Sequence, residues 1–157
     1  PNGWSLTPAG RSLPLGDLPL NLVVSPSGKY LAVTNNGQSR QSITLIDAAS
    51  EKVLADVPIP KSWVGLAFSR DEKTLYASGG NDNRIAVCQI DNGGRRADST
   101  ISLGKPWPNK ISPAGLCVDD ARGRIYVVTK DDRALYEVDL ETRAVYRRTP
   151  LPAEAYT

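Results

Sequence analysis

The sequence predicts an all-β fold, and three observations carry that prediction. Short apolar runs alternate with polar residues at the period of a half-buried strand. Clusters of Pro, Gly, Asp, Asn and Ser separate the runs, and helical periodicity is absent. One phrase of four strands also occurs three times, over Leu18 to Pro60, Ser62 to Gly104 and Ser112 to Pro152.

Ser25, Ser69 and Asp119 are equivalent points in the three copies, 44 and then 50 residues apart. The longer interval is taken up at "GKPWPNK", Gly104 to Lys110, where Pro and Gly mark an enlarged loop. First strands are predicted at Leu20–Val24, Leu66–Phe68 and Leu116–Val118. Tight turns follow in "SPSGK", "SRDEK" and "DDARGR". Second strands fall at Tyr30–Thr34, Thr74–Ser78 and Ile125–Thr129, and third strands at Ser42–Ile46, Arg84–Ile90 and Ala134–Val138. Asp47, Asp91 and Asp139 close the third strands, where a carboxylate can bond the backbone of the next turn. More polar fourth strands return at Lys52–Val57, Asp98–Leu103 and Ala144–Thr149.

Four antiparallel strands at a period of about 40 to 45 residues match the blade of a β-propeller. A β-sandwich would not repeat the same phrase. The expected organisation is a propeller fragment of about three four-stranded blades, with partial blades at both ends. Residues 1–17 supply the outer strands of a preceding blade, as two strands around a Pro-Ala-Gly turn. Blades occupy 18–60, 61–104 and 105–152, and 153–157 begin a further first strand. Three blades do not close a ring, so the open flanks are expected to meet the rest of the propeller or further copies of the chain.

The chain holds 157 residues, with 19 basic and 17 acidic side chains interspersed, so no basic stripe points to nucleic acid. No apolar run is long enough to suggest membrane insertion. There is no Met and the first residue is Pro1, so the chain is expected to be processed or incomplete at its beginning. The absence of His removes Ser-His-Asp and Cys-His catalysis and His-dependent zinc sites from within these residues. Cys88 and Cys117, each in an alternating apolar segment, are expected as two buried thiols; a disulfide would need their strands in contact.

"AVTN" (Ala32 to Asn35), "YVVTK" (Tyr126 to Lys130), "VDLETRAV" (Val138 to Val145) and "IDAASEKV" (Ile46 to Val53) resemble the phrases of YVTN-family β-propeller repeats. The second copy departs from them, with "YASG" and a shortened "IDNGG". The opening "PNGWSLTPAGRSLPLGDLPLNL", with the segment after it, also resembles the N-terminal propeller of secreted bacterial proteins in which an alkaline-phosphatase-like phosphoesterase domain follows. That resemblance implies a periplasmic or secreted protein whose catalytic domain lies beyond Thr157, and it carries no catalytic residue onto this chain.

The loops entering the first strands and those between second and third strands share one face of a propeller, where binding groups collect on a rigid scaffold. The candidate ligand contacts there are Asn35, Asn36, Arg40, Lys61, Trp63, Asn83, Arg84, Trp107, Lys110 and Lys130. Amide, guanidinium and ammonium groups around Trp suit a sugar, a phosphate or a peptide strand. Against this, Asn-Gly and Asn-Asp pairs are turn formers, Trp63 suits a blade-to-blade contact, and Trp4 suits the core. Trp107, between two prolines, is the expected exposed aromatic. "NDNR" and "KDDR" lack the spacing of a calcium loop and read as solvated turns, so neither metal nor cofactor is expected.

The favoured function is a non-catalytic binding or scaffolding module within a larger exported protein, with a protein or a small polar or anionic ligand as partner. The alternative is the propeller portion of a phosphoesterase. A propeller enzyme such as a lactonase or a quinone-dependent dehydrogenase needs acidic groups on its first strands. Here those strands read "LNLVV", "VGLAF" and "AGLCV".

Overall fold

The computed structural model describes residue 7, residues 9–91 and residues 94–157, without the side chains of 94–98. Strands β1 (Pro19–Val24), β2 (Tyr30–Asn35), β3 (Ser42–Asp47) and β4 (Lys52–Pro58) form the first sheet. The second holds β5 (Leu66–Phe68), β6 (Thr74–Ser78), β7 (Arg84–Asp91) and β8 (Gly94–Ser102). In the third are β9 (Pro113–Asp119), β10 (Arg124–Thr129), β11 (Ala134–Asp139) and β12 (Val145–Pro150). Each is a four-stranded antiparallel sheet in chain order, so the repeated phrase becomes three separate blades.

Local chemistry closes each turn. Ser25 and Ser69 donate their N–H groups to Tyr30 and Thr74 carbonyls, at 2.9 and 2.8 Å. Their hydroxyl oxygens accept the N–H groups of the same two residues, at 3.1 and 3.0 Å. Asp47 Oδ1 accepts from the N–H and hydroxyl of Ser50, both at 2.7 Å, and the Ser50 hydroxyl is the main cause of its lowered pKa. At the equivalent place Asp139 accepts the Thr142 N–H at 2.8 Å, the largest cause of its own lowered pKa.

The core lies between sheets, because alternate residues of every strand point to opposite neighbours. Ala32, Ile43, Leu45, Val57 and Ile59 of the first blade meet Leu66, Phe68, Leu75, Ala77, Ala86 and Cys88 of the second. The other face of the second blade, with Tyr76, Ile85, Val87, Ile101 and Leu103, meets Ile125, Val127, Ala134, Tyr136 and Val138 of the third. Burying an aliphatic side chain of this size contributes about 1.5–3 kcal/mol.

The innermost strands approach closely at one repeated position. Asn21 Nδ2 donates to the Val64 carbonyl at 2.6 Å, tying β1 to the residue before Gly65. A Cβ on Gly65 would lie 2.0 Å from the Ala114 carbonyl, and one on Gly115 would lie 2.7 Å from that of Tyr156. Tyr156 therefore stands where Val64 and Ala114 stand in the preceding units. On the opposite rim the turns are stitched too: Ser27 Oγ donates to Glu72 at 2.9 Å, and Arg70 N–H to Asp120 at 2.8 Å.

Four expectations change. Of the two lead-in strands, the first (with Trp4) falls mostly outside the described residues, and Arg11–Leu15 is irregular chain; it lines a cleft with Leu22, Leu31 and Ile46. Residues 153–157 are irregular as well, although they hold the inner-strand position. Cys117 is exposed rather than buried, because it pairs with Tyr126 on the uncovered forward face of the third blade. The fourth strand of the second blade begins earlier, at Gly94. No disulfide joins Cys88 to Cys117.

Leu20, Leu22 and Val24 on the rear face of the first blade are 44%, 51% and 56% exposed. Such a flank attracts partners. The expected result in light scattering is a mass that rises with concentration, reduced by Leu22→Asp plus Val24→Asp; a constant monomer mass would refute self-association. For the seam, Gly65→Ala is expected to cost about 2–3 kcal/mol in denaturant unfolding, because backbone must move. Gly28→Ala, in open space at φ 76°, is expected to cost only about 1 kcal/mol.

Candidate ligand-binding face

The loops entering each blade and the loops between second and third strands are knitted by backbone bonds. Gly37 N–H donates to Asp17 O at 3.0 Å, Trp63 N–H to Ser78 O at 3.1 Å, and Lys130 N–H to Ser112 O at 3.0 Å. The Asp17 carboxylate accepts the N–H groups of Gln38 and Ser39, at 2.9 and 3.2 Å, and so orders the Asn36–Arg40 loop.

Side-chain amides then latch each blade to the next. Gln41 Oε1 accepts the Ser62 N–H at 2.6 Å. Asn83, at the equivalent position, accepts the N–H groups of Ile111 and Ser112, both at 3.0 Å. Its Nδ2 donates to the Lys105 and Asn109 carbonyls, at 2.9 and 2.6 Å. Asn83 is fully buried in the left-handed region, at φ 56°, which Asn tolerates better than most residues. Its amide is committed to positioning the loop.

The remaining candidates fall into three groups. Asn36, Arg40 and Lys61 line a polar cleft of about 470 Å³ together with Gln38, Gln41 and Pro60. Arg40 is exposed and ion-paired to Asp56 at 2.5 Å. The Asn36 Oδ1 is buried and makes no hydrogen bond. Asn35 lies beneath, fully buried, with its Nδ2 on Ser42 and Thr44 at 3.1 and 2.8 Å.

Trp63 and Lys130 come together with Tyr156. The two rings meet edge to face at 6.1 Å, and Lys130 Nζ stands 5.7 and 5.8 Å from their centroids. The Tyr156 hydroxyl beside Lys130 is the main cause of its raised pKa. Gly80, at φ 48°, gives the neighbouring loop its left-handed turn, and Trp63 lies at van der Waals distance from it. The third group is Trp107 with Lys110, whose Nζ is 5.4 Å from the indole, and Arg84 is exposed at the start of β7.

Gln41, Tyr156 and Lys105 are contributors that sequence reasoning missed. The repeat held the signal for the first two. Gln41 aligns with Asn83, and Tyr156 with Val64 and Ala114. Replacing Asn83 by Ala is expected to lower unfolding free energy by about 3 kcal/mol or more, because the Ile111 and Ser112 amides lose a buried acceptor. Loss below about 1 kcal/mol in chemical denaturation would show that water replaces the latch.

No protein-family model and no curated protein matches the chain. Solved structures do. Hydrazine synthase of Kuenenia stuttgartiensis matches with a TM-score of 0.75 at 18% identity, over 96% of this chain and 41% of that one. The WD40 repeats of RRP9 match with a TM-score of 0.70 at 16% identity, over 92% and 42%. The periplasmic gluconolactonase of Pseudomonas aeruginosa matches with a TM-score of 0.65 at 22% identity, over 85% and 41%. The chain thus spans about two fifths of the length of these structures. At these identities the likeness is one of fold: the three sheets are blades of a β-propeller.

Proposed function

We propose that this chain is a non-catalytic binding or scaffolding part of a larger, exported β-propeller protein, presenting its polar loop face to a protein or a small anionic ligand. The observation that carries this reading is how the polar groups are distributed. Leu66–Phe68 is entirely apolar, and on β1 the amide of Asn21 is spent on the Val64 carbonyl. The Asn36 Oδ1, which makes no hydrogen bond, and the exposed Lys61 gather instead at the loop-face cleft, beside Arg40, whose guanidinium is held by Asp56. Among the described residues no helix is long and apolar enough to cross a membrane.

The opening residues and the YVTN-like phrases support a finer version, in which the parent protein is a phosphoesterase and this part contributes architecture. Lactone hydrolysis by the chain itself finds no support from carboxylates on Leu20–Val24, Leu66–Phe68 or Leu116–Val118. The purified chain is expected to be silent with a phosphate monoester, a phosphate diester and gluconolactone. Turnover above a denatured control would overturn the non-catalytic reading. Inorganic phosphate is expected to bind weakly at the cleft, and Lys61→Ala to abolish that binding in isothermal titration.

A further inference from the structure

The loop of residues 104–112 exists only between the second and third blades, and it is built to hold a tryptophan outward. Buried Asn83 pins its two limbs through the Lys105 and Asn109 carbonyls and the Ile111 and Ser112 amides. Asn109 N–H closes the tip on the Pro106 carbonyl at 3.2 Å, and Ser102 Oγ caps the Gly104 carbonyl at 2.8 Å. Asn83 and the turn at Asn109 fix the loop backbone, Lys110 Nζ lies 5.4 Å from the indole centroid, and Trp107 is 64% exposed.

The charge around that ring has one sign along the chain. No Asp or Glu stands between Asp98 and Asp119, whereas Lys105 and Lys110 flank Trp107. Arg84 pairs in register with Ser102 at the loop's foot and is exposed. Asp131, the carboxylate at the base, is bonded to the Ser112 hydroxyl at 2.5 Å. A fixed aromatic ring costs little ordering entropy on binding, and Trp is enriched among residues that dominate interface energies. Flanking cations steer and register an anionic partner.

We infer that the Lys105–Trp107–Lys110 loop is a docking point for an extended acidic peptide segment of a protein partner. An apolar residue of that segment lies on the indole, and carboxylates on either side meet the two lysines. The inference rests on the binding-module reading and adds a partner class to it, at a place separate from the Asn36–Arg40–Lys61 cleft.

The test uses a fluorescent peptide of alternating Glu and Pro, with the Gln–Pro peptide as control and an oligogalacturonate as competitor, read by anisotropy. The Glu–Pro peptide is expected to bind and to weaken as salt rises. Trp107→Ala is expected to weaken it about tenfold or more, and Lys105→Glu with Lys110→Glu to abolish it, both with unchanged melting temperature. Asn83→Ala, which frees the loop, is expected to weaken binding while lowering the melting temperature.

Equal binding of the Gln–Pro peptide, no binding of either, or indifference to Trp107→Ala overturns the inference. So does tighter binding of the oligogalacturonate through the same residues. Loss of peptide binding in Lys61→Ala, but not in Trp107→Ala, overturns it while leaving the binding-module reading intact. Only turnover by the chain would remove that reading.

Discussion

No sheet of this protein has a hydrophobic core of its own, and everything else follows from that constraint. Each blade carries apolar side chains on both faces and can bury them only against the blades before and after it. Sheet-on-sheet burial is non-directional, so it does not by itself set the spacing or rotation between blades. The inner-strand contact does: Asn21 reaches the Val64 carbonyl through its side-chain amide, while at Gly65 and Gly115 backbone lies against backbone with no room for a side chain. Glycine at 65 and 115 is the geometric condition for the apolar faces to meet.

Hydrogen bonds then fix the rims around that packed seam. On the loop face the amides of Gln41 and Asn83 reach across to the start of the next blade, and on the other rim Glu72 and Asp120 accept from the preceding turn. On the loop face these bonds satisfy the buried Ser112 amide and the part-buried Ser62 amide, so their value there lies in the cost of removing them; the bonds of the other rim are exposed. They also sort the polar residues of the loop face. Those spent on the seam are structural, whereas Lys61, Lys110 and Trp107 stay exposed on the same face and Arg40 is held by Asp56.

Because each strand shows period-2 alternation and each turn its own chemistry, strand positions were legible in the sequence to within a residue or two, except that β8 and β9 begin four and three residues before the expected Asp98 and Leu116. Arg11–Leu15 misled because alternation in a short segment is no guarantee of a pairing partner, and here no neighbouring strand takes it up. Cys117 misled because burial was inferred from its apolar neighbours, whereas the face it points from is uncovered. For the candidate site, exposure of Trp107 was legible from its prolines. The role of Asn83 was not, since one side chain bonding four backbone groups depends on a loop more than twenty residues away.

Both outer flanks mix apolar and charged groups, in different places. On the rear of the first blade Leu20, Leu22 and Val24 of the inner strand are exposed, and the Arg40–Asp56 pair lies farther out beside Thr44. On the forward side of the third, register puts Glu137 opposite Tyr126, where the preceding blades have Leu45 opposite Ala32 and Val87 opposite Tyr76. Arg147 pairs with Glu137 there, and the carboxylate is nearly buried while the guanidinium is largely exposed. Covering that pair with an apolar surface would strip water from the arginine without replacing its hydrogen bonds, at a cost of several kcal/mol by order of magnitude. A surface that seats against the third blade must therefore bring polar partners to Arg147. The flank consequently discriminates among apolar surfaces in a way that the seams inside the chain do not.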